Sequence, residues 1–394
     1  MMGCCSCFGF ARKSKLRSSN IYGDCNLIQE SLICDNYEDS GSYDDNFTDY
    51  EEEIVEPNSA KRSEEILKLR ERNGMICRQY PAKSTHHLVR SVDEEGNRMI
   101  NEYVRECKIG AGSYGKVVKY KSSINGKYYA VKAFHKSHLG RQRVAPSETA
   151  MTDVLREVMI MNMIEHPNVV NLIEVINDPN TDKFYMVLEY VDGTWIWDGS
   201  SPPIEENIAR KYLRDIVSGL MYLHSHNIVH LDIKPDNLLV TQSGLVKIGD
   251  FSVSQVFENE NDNLQRSPGT PVFTAPECCL GLTYKGKSAD TWALGVTLYC
   301  MTVGEYPFLG ESLQDQYDKI VKYPLVLRPE MNPNLRDLLE GLLCKDPNRR
   351  MSLEEVATHV WVREEEGPIC PFSCWCKRKR ELLYDDYSTG GEIL

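Results

Sequence analysis

Two short segments of this chain have the residue types and spacing needed to hold a chain of phosphates. Gly110, Gly112 and Gly115 would let backbone N–H groups approach phosphate oxygens without a Cβ in the way. Lys132, on the next predicted strand, could bind phosphate oxygens if Glu157, on a following helix, holds its ammonium group. The same glycine spacing also marks a dinucleotide-binding turn, but such a turn leads into a helix. Here a strand follows the glycines, so a dinucleotide-binding fold is excluded.

A third segment, from His230 to Asn237, carries groups suited to phosphoryl transfer. Asp232 could accept the proton of an attacking hydroxyl, Lys234 could stabilise the transferred group, and Asn237 could hold a magnesium ion. Asp250, which opens the later motif Asp-Phe-Ser, should coordinate magnesium that bridges the phosphates. Together these residues predict a metal-assisted transfer of phosphate to a hydroxyl.

The elements that must position these groups change along the chain. Residues 103–191 contain five strand-like runs and one helix, and the dipeptide Asn125-Gly126 marks a hairpin between two of the strands. Residues 192–362 are mainly helical, and they begin with the amphipathic run NIARKYLRDIVSGLMYLHSH. Before the strands, residues 59–102 form an extension with a short predicted helix that Gly74 ends.

The motifs, in this order, resemble those of the eukaryotic protein kinases. Gly269-Thr270-Pro271 and Ala275-Pro276-Glu277 extend the match, which runs from about Tyr103 to Val362. The resemblance implies an α+β fold with a β-rich N-lobe and an α-rich C-lobe, and ATP and Mg²⁺ as cofactors. Lys234 and Thr270 resemble the serine/threonine class.

The same resemblance assigns further roles. It makes Leu188 the gatekeeper and places Asp290, Trp292 and the pair Glu277–Arg350 in structural roles. It predicts that the nucleotide also contacts Ile109, Val117, Ala130, Glu189 and Val191, with the last two forming the hinge that binds adenine.

Two residues depart from the kinase pattern. Ser252 replaces the glycine of Asp-Phe-Gly, and we expect altered sampling of inactive states without loss of catalysis. Leu231 replaces the arginine that in many kinases pairs with a phosphorylated activation loop. We therefore predict activity without activation-loop phosphorylation, unless another basic residue such as Lys211 or Arg214 substitutes.

An enlarged segment between Lys132 and Glu157 points to a narrower group. It carries Arg141, Arg143 and Pro146, and it is either a docking insert or a solvated loop. Such an insert resembles the calcium/calmodulin-dependent kinase kinases. The resemblance is closer to the plant geminivirus Rep-interacting kinases, which are also described as activating kinases of the sucrose-nonfermenting-related kinases. The stretches that carry it are KRSEEILK, AFHKSHLGRQRVAPSETAM, IGDFSVSQVF, SPGTPVFTAPECCLG and CWCKRK.

This closer resemblance implies a substrate and partners. The substrate would be the activation-loop threonine of a plant kinase of the AMP-activated type, and a geminiviral replication protein would be a partner. The alternatives are a calcium-linked kinase kinase with other substrates and a pseudokinase scaffold. Calmodulin dependence is disfavoured because no basic amphipathic helix follows Val362.

Composition limits the remaining possibilities. Net charge is −13, and the stretch Asp35–Glu56 contains no Lys or Arg, so we predict a disordered acidic tail at residues 1–58. The acidity argues against a nucleic-acid binder. The chain shows neither a membrane-spanning run nor a secretory signal. The basic run at 377–380 is either a nuclear signal, a solvated patch or a contact with a lipid surface, and we expect a location in cytoplasm and nucleus.

The chain has fourteen cysteines, and three of them crowd each end. Cys4, Cys5 and Cys7 precede basic residues, which would suit S-acylation and peripheral membrane contact, or they are simply exposed thiols. In the C-terminal tail, residues 363–394, the spacing of Cys370, Cys374 and Cys376 matches no common zinc pair, and neither tail has a nearby histidine. A zinc site there is the less favoured alternative.

Overall fold

A computed structural model describes residues 59–112, 114–145, 148–199, 201–258, 261–364 and 366–376. The predicted acidic tail, the cysteines at positions 4, 5 and 7, and the basic run at 377–380 lie outside the described residues. Within the described ranges, no helix is both long and apolar enough to cross a membrane.

The N-terminal half is built on one eight-stranded sheet, in the order β1-β9-β10-β6-β5-β4-β3-β2. Its strands are β1 (Lys83–Thr85), β2 (Arg90–Val92), β3 (Arg98–Ile100), β4 (Tyr103–Gly112), β5 (Gly115–Ser122), β6 (Tyr128–His135), β9 (Leu172–Ile176) and β10 (Lys183–Glu189). All neighbours are antiparallel except β1 and β9. The central strands are rich in β-branched and aromatic residues, which pack well on a pleated surface.

Three short strands of this sheet come from the extension before residue 103, where only a helix was predicted. Strand β1 lies at one edge of the sheet, and β3 and β2 lie at the other. Glu174 of β9 links β4 with β1, because its buried carboxylate accepts a hydrogen bond from Tyr103 at 2.6 Å and pairs with Lys83 at 3.1 Å. The predicted helix is present as α1 (Ser59–Arg72), and Gly74 follows it with φ +64°. Ile66 and Leu67 of α1 are buried in the main core.

The insert folds as α2 (Lys136–Arg141) and the paired strands β7 (Arg143–Ala145) and β8 (Glu148–Thr149), and it leads into α3 (Ala150–Met163). Thr149 caps α3 through a reciprocal bond with Thr152. The insert is therefore ordered on either side of Pro146 and Ser147, which lie outside the described residues.

The C-terminal half is helical. Its helices are α4 (Glu206–Ser225), α5 (Pro276–Cys279), α6 (Gly286–Val303), α7 (Leu313–Lys322), α8 (Pro333–Leu342), α9 (Leu353–Thr358) and α10 (Val360–Arg363). Its short strands are β11 (Thr194–Trp195), β12 (Ile228–Val229), β13 (Leu238–Val240), β14 (Val246–Ile248), β15 (Gln255–Val256), β16 (Asn263–Leu264) and β17 (Tyr284–Lys285). The predicted two-lobed α+β architecture is confirmed.

Helix α6 is the central support of this half. Most of its residues are buried, and Trp292 is fully buried. Gly304 ends the helix in a left-handed conformation, φ +79°, and its N–H bonds the carbonyl of Cys300. Beside α6, Arg350 forms a buried two-pronged ion pair with Glu277, with both N···O distances at 2.7 Å.

Candidate active site

The glycine segment forms the hairpin between β4 and β5, with Gly110 opposite Val117 and Gly112 opposite Gly115. A Cβ at Gly115 would lie 2.6 Å from the carbonyl oxygen of Ala133, so that position cannot carry a side chain without a shift of the backbone. The hairpin therefore offers a bare backbone edge over the cleft, as phosphate binding requires.

Three charged groups meet beneath this hairpin. The Lys132 ammonium, on β6, donates to Glu157 of α3 at 2.7 Å and to Asp250 at 3.1 Å. Burial alone would lower the pKa of Lys132, but the two carboxylates raise it above its ordinary value. Burial would raise the pKa of Asp250, but Lys132 outweighs that effect and the pKa falls to about 2. Lys132 therefore stays charged and Asp250 stays ionised at neutral pH.

The predicted catalytic residues form a second, contiguous group. Asp232 pairs with Lys234 at 2.7 Å through one carboxylate oxygen, and the other oxygen accepts from the Thr270 hydroxyl at 2.7 Å. The Lys234 ammonium also donates to that hydroxyl at 2.7 Å, and the Asn237 amide donates to Asp232 at 2.9 Å. All three residues that the sequence places beside Asp232 therefore contact its carboxylate directly: Lys234, Asn237 and Thr270.

The loop that carries Asp232 is held from below by Asp290 of α6. The Asp290 carboxylate is fully buried and accepts from the backbone N–H groups of His230 at 2.8 Å and Leu231 at 2.7 Å. Leu231 has φ +65°, which is uncommon for a residue with a Cβ and needs such support. Gly269 packs so closely that a Cβ there would lie 2.5 Å from the Leu231 carbonyl oxygen.

The donor set between the two groups suits a hard divalent cation. The side-chain nitrogen of Asn237 donates hydrogen bonds to Asp232, so its amide oxygen remains available as a ligand atom. Asp250 supplies an ionised carboxylate. Oxygen ligands of this kind are those that Mg²⁺ prefers. These residues therefore fit the predicted metal, and the glycine hairpin with Lys132 fits the phosphates.

The predicted adenine-binding positions lie where β10 leaves the sheet. The Glu189 carboxylate forms an ion pair with Lys247 at 2.8 Å and accepts a hydrogen bond from the N–H of Asn171 at 3.1 Å. The backbone of Glu189 is therefore the part that remains to contact a ligand. Val191 follows it, and Ala130 faces Leu188 in the neighbouring strand pair. Val117 is half-buried beneath the glycine hairpin, whereas Ile109 is exposed above it.

The position of the missing arginine is filled by apolar packing. Leu231 packs against a buried cluster of four residues, Val229, Phe257, Leu264 and Tyr284, which we call the Leu231 cluster. Leu264 belongs to the activation segment, by which we mean the stretch from Asp250 to Glu277. Its strand β16 pairs with β17. Arg214, a candidate substitute for the arginine, instead binds the carbonyls of Val362 and Gly367 near the C-terminal end of the described chain.

Asp262 gives the activation segment a second attachment. Its carboxylate accepts from the N–H of Lys287 at 2.8 Å, and its carbonyl accepts from the N–H of Gly286 at 2.9 Å. Both donors belong to the first turn of α6, whose unpaired N–H groups favour a negative charge. These two bonds attach the described part of the segment to α6 through groups of the protein itself.

Sequence reasoning missed one contact at the site. Tyr114, at the tip of the glycine hairpin, donates to Asp153 of α3 at 2.8 Å and lines the cleft with Lys132 and Asp250. Burial and the nearby carboxylate raise the pKa of Tyr114 above its ordinary value, so the hydroxyl keeps its proton. No motif indicates this pairing, because Tyr114 and Asp153 lie on different elements, 39 residues apart in sequence.

Comparisons with known proteins agree with this geometry. A family model described as a protein kinase domain matches residues 103–362. The chain is 62% identical to serine/threonine-protein kinase GRIK1 of Arabidopsis thaliana over 97% of its own length and 96% of the relative's. It is 66% identical to GRIK2 of the same plant over 84% of this chain and 83% of that one. A calcium/calmodulin-dependent protein kinase kinase of Caenorhabditis elegans is 36% identical over 70% of this chain and 56% of its own.

Proposed function

This chain belongs to the protein kinase family and is a serine/threonine kinase that uses ATP and a divalent metal, and we propose that it is an upstream activating kinase. In this proposal the metal is Mg²⁺. The substrate is the activation-loop threonine of a plant kinase of the sucrose-nonfermenting-related class, whose catalytic subunit is thus the main partner.

The proposed roles of the residues follow from their contacts. Asp232 orients the substrate hydroxyl and accepts its proton, while Lys234, which shares the Thr270 hydroxyl with it, neutralises charge on the transferred group. Lys132 binds the phosphates because Glu157 fixes it in the cleft. Asn237 and Asp250 hold the metal, which when bound neutralises the phosphate oxygens.

The observation that carries the upstream role is the ordered activation segment. The Leu231 cluster and Asp262 hold this segment by apolar packing and a helix N-terminus, where many kinases need an arginine and a phosphate. A kinase organised in this way does not wait for phosphorylation by another kinase. That property suits the first enzyme of a phosphorylation cascade.

Further parts of the proposal rest on the sequence alone. We propose a location in cytoplasm and nucleus and an interaction with a geminiviral replication protein. Peripheral membrane contact would require acylation of the cysteines at positions 4, 5 and 7. In the C-terminal tail Cys374 is buried and Cys370 is exposed, so Cys374 is not available to an acyltransferase.

The test uses full-length protein treated with phosphatase and then freed of it. It is incubated with ATP, Mg²⁺ and an inactive plant kinase domain of the AMP-activated type, beside a copy whose activation-loop threonine is alanine. We expect phosphate transfer to the first copy and none to the second. Transfer only to a generic serine/threonine peptide would reject the proposed substrate, and a need for prior phosphorylation would reject the upstream role.

The matched control is Asp232→Asn, which keeps the shape of the side chain and removes the proton acceptor. We expect activity to fall by about 10²- to 10⁴-fold, the usual contribution of a general base. A cellular function that survives this substitution would favour the scaffold alternative. Activation that requires calcium and calmodulin would favour the calcium-linked kinase kinase.

A further inference from the structure

Four metal-ligating side chains converge far from the kinase cleft. They are Cys77, His226, Cys374 and Cys376, and their Sγ and ring nitrogen atoms all lie within 4.8 Å of one another. Cys77 follows α1, His226 ends α4, and the other two belong to the C-terminal tail. Three segments that are distant in sequence therefore contribute to one cluster, which no role in phosphoryl transfer explains.

Donor atoms this close together can all reach one ion, but the two tail sulfurs lie nearer to each other than the ligands of tetrahedral zinc. Zinc–sulfur bonds of about 2.3 Å place two tetrahedral ligands about 3.8 Å apart. Here the sulfurs of Cys374 and Cys376 are 2.9 Å apart, and the Cys376 sulfur lies 3.5 Å from Nε2 of His226. Cys77 and Cys374 are buried, and His226 and Cys376 are half-buried. Four protein ligands in a closed site are typical of structural zinc.

Neighbouring groups orient these side chains towards the centre. Nδ1 of His226 lies 2.8 Å from the carbonyl oxygen of Tyr222, and it donates its proton there, because a carbonyl only accepts. The lone pair of Nε2 is then directed at the sulfurs, which is the arrangement found around metal-bound histidines. The Tyr222 hydroxyl is hydrogen-bonded to Cys77, and Arg70 of α1 binds the His226 carbonyl at 2.8 Å.

A disulfide does not account for the cluster. It would join two of the sulfurs and leave the third sulfur and the oriented imidazole without a function. Disulfide bonds also require a sulfur separation of about 2.0 Å, whereas the sulfurs of Cys374 and Cys376 are 2.9 Å apart. The combination of three thiolates and one imidazole is a recognised ligand set for Zn²⁺.

We propose that Cys77, His226, Cys374 and Cys376 bind one structural Zn²⁺ ion that fastens both ends of the described chain to the C-lobe. On binding, each thiol would release its proton, because the thiolate is the ligand. The three thiolates and one dication leave a single negative charge, which the nearby guanidinium of Arg70 partly offsets.

The position of the cluster indicates what the ion would stabilise. The N–H of Cys77 donates to the carbonyl of Met163, the last residue of α3, at 2.8 Å. Phe372 of the tail packs on His166, just after α3, with ring centroids 4.4 Å apart. Because α3 carries Glu157, the ion would hold the helix that positions Lys132.

The experiment measures zinc in full-length protein purified under reducing conditions without added chelator. We expect one zinc ion per chain in the wild type and in Cys370→Ser, whose thiol is exposed in the same tail. We expect loss of that ion in Cys376→Ser and in His226→Asn. Wild-type protein with the metal exchanged for Co²⁺ should show thiolate-to-cobalt charge-transfer bands and the ligand-field bands of a tetrahedral ion.

Alkylation mapping keeps the test informative if a variant fails to fold. In the wild type, Cys77, Cys374 and Cys376 should resist alkylation until a strong chelator is added, while Cys370 reacts in both conditions. Wild-type protein without zinc, cobalt spectra of an octahedral ion, or a Cys374–Cys376 disulfide in reduced preparations would each overturn the proposal. Equal zinc content in wild type and Cys376→Ser would do the same.

Discussion

The attachment of the activation segment by Asp262 can be tested with a single substitution. Asp262→Ala removes the carboxylate that accepts from Lys287 in the first turn of α6 and leaves the backbone bond from Gly286 in place. Loss of a helix cap costs about 1 kcal/mol, and loss of a negative charge near a helix N-terminus costs up to about 1 kcal/mol more. We therefore expect a total of about 1.5 kcal/mol, which is roughly a tenfold change in an equilibrium constant.

Amide hydrogen exchange measures this equilibrium directly. In Asp262→Ala the amides of residues 263–267 should exchange about ten times faster than in the wild type, because local opening governs their exchange. The value of kcat/KM for a protein substrate should fall in parallel, by at most about the same factor. Asp262→Asn keeps an oxygen acceptor and should show a smaller change in both quantities.

The control is Asp318→Ala, which removes an acid on α7 whose ion pair is with Lys322 of the same helix. It should leave exchange in the activation segment and kcat/KM unchanged. If Asp262→Ala exchanges at the wild-type rate, the carboxylate does not hold the segment. Restoration of the lost activity by a phosphate on the segment would contradict the argument in a different way, because it would reveal a phosphate receiver.

Three further outcomes are expected. Arg350→Ala leaves Glu277 buried without its partner and should cost about 3–5 kcal/mol in the free energy of unfolding measured by urea denaturation; an unchanged midpoint would refute this. Ser252→Gly removes a hydroxyl bonded to Asp250, the proposed metal ligand, so the KM for Mg-ATP should rise between about two- and tenfold, while a KM equal to that of the wild type would deny the bond a role. Burial raises the pKa of the Cys278 thiol, so iodoacetamide should modify the exposed Cys107 of folded protein well before Cys278. Mass spectrometry measures the two rates of modification, and equal rates would contradict this prediction.

The sequence predicted those parts of the site in which chemistry restricts the residue type. Lys132, Asp232 and Asp250 lie in short motifs, because phosphate and metal binding tolerate few other side chains at those positions. The two-lobed architecture followed from the change of periodicity near residue 192 and from the kinase resemblance. The helix before Gly74 was also predictable, because its start, its apolar face and its end each leave a local signal.

Other features leave no local signal. Strands β1, β2 and β3 have three residues each and are mostly exposed, so no alternation marks them, and they form because the edge of a larger sheet is available. The cysteine cluster escaped notice because its histidine lies about 150 residues before Cys376. Tail spacing alone therefore gave no zinc pattern. In the sequence Asp262 cannot be told from the other acidic residues of a polar loop, because its role depends on its contact with the first turn of α6.

The packing of Cys374 into the same core as Leu67 and Cys77 also constrains the order of events during synthesis. Leu67 and Cys77 leave the ribosome about 300 residues before Cys374 does. Domains generally begin to fold as their N-terminal parts emerge. In this protein the surroundings of Leu67 and Cys77 are complete only after Cys374 has been translated, so we expect this part of the core to close late.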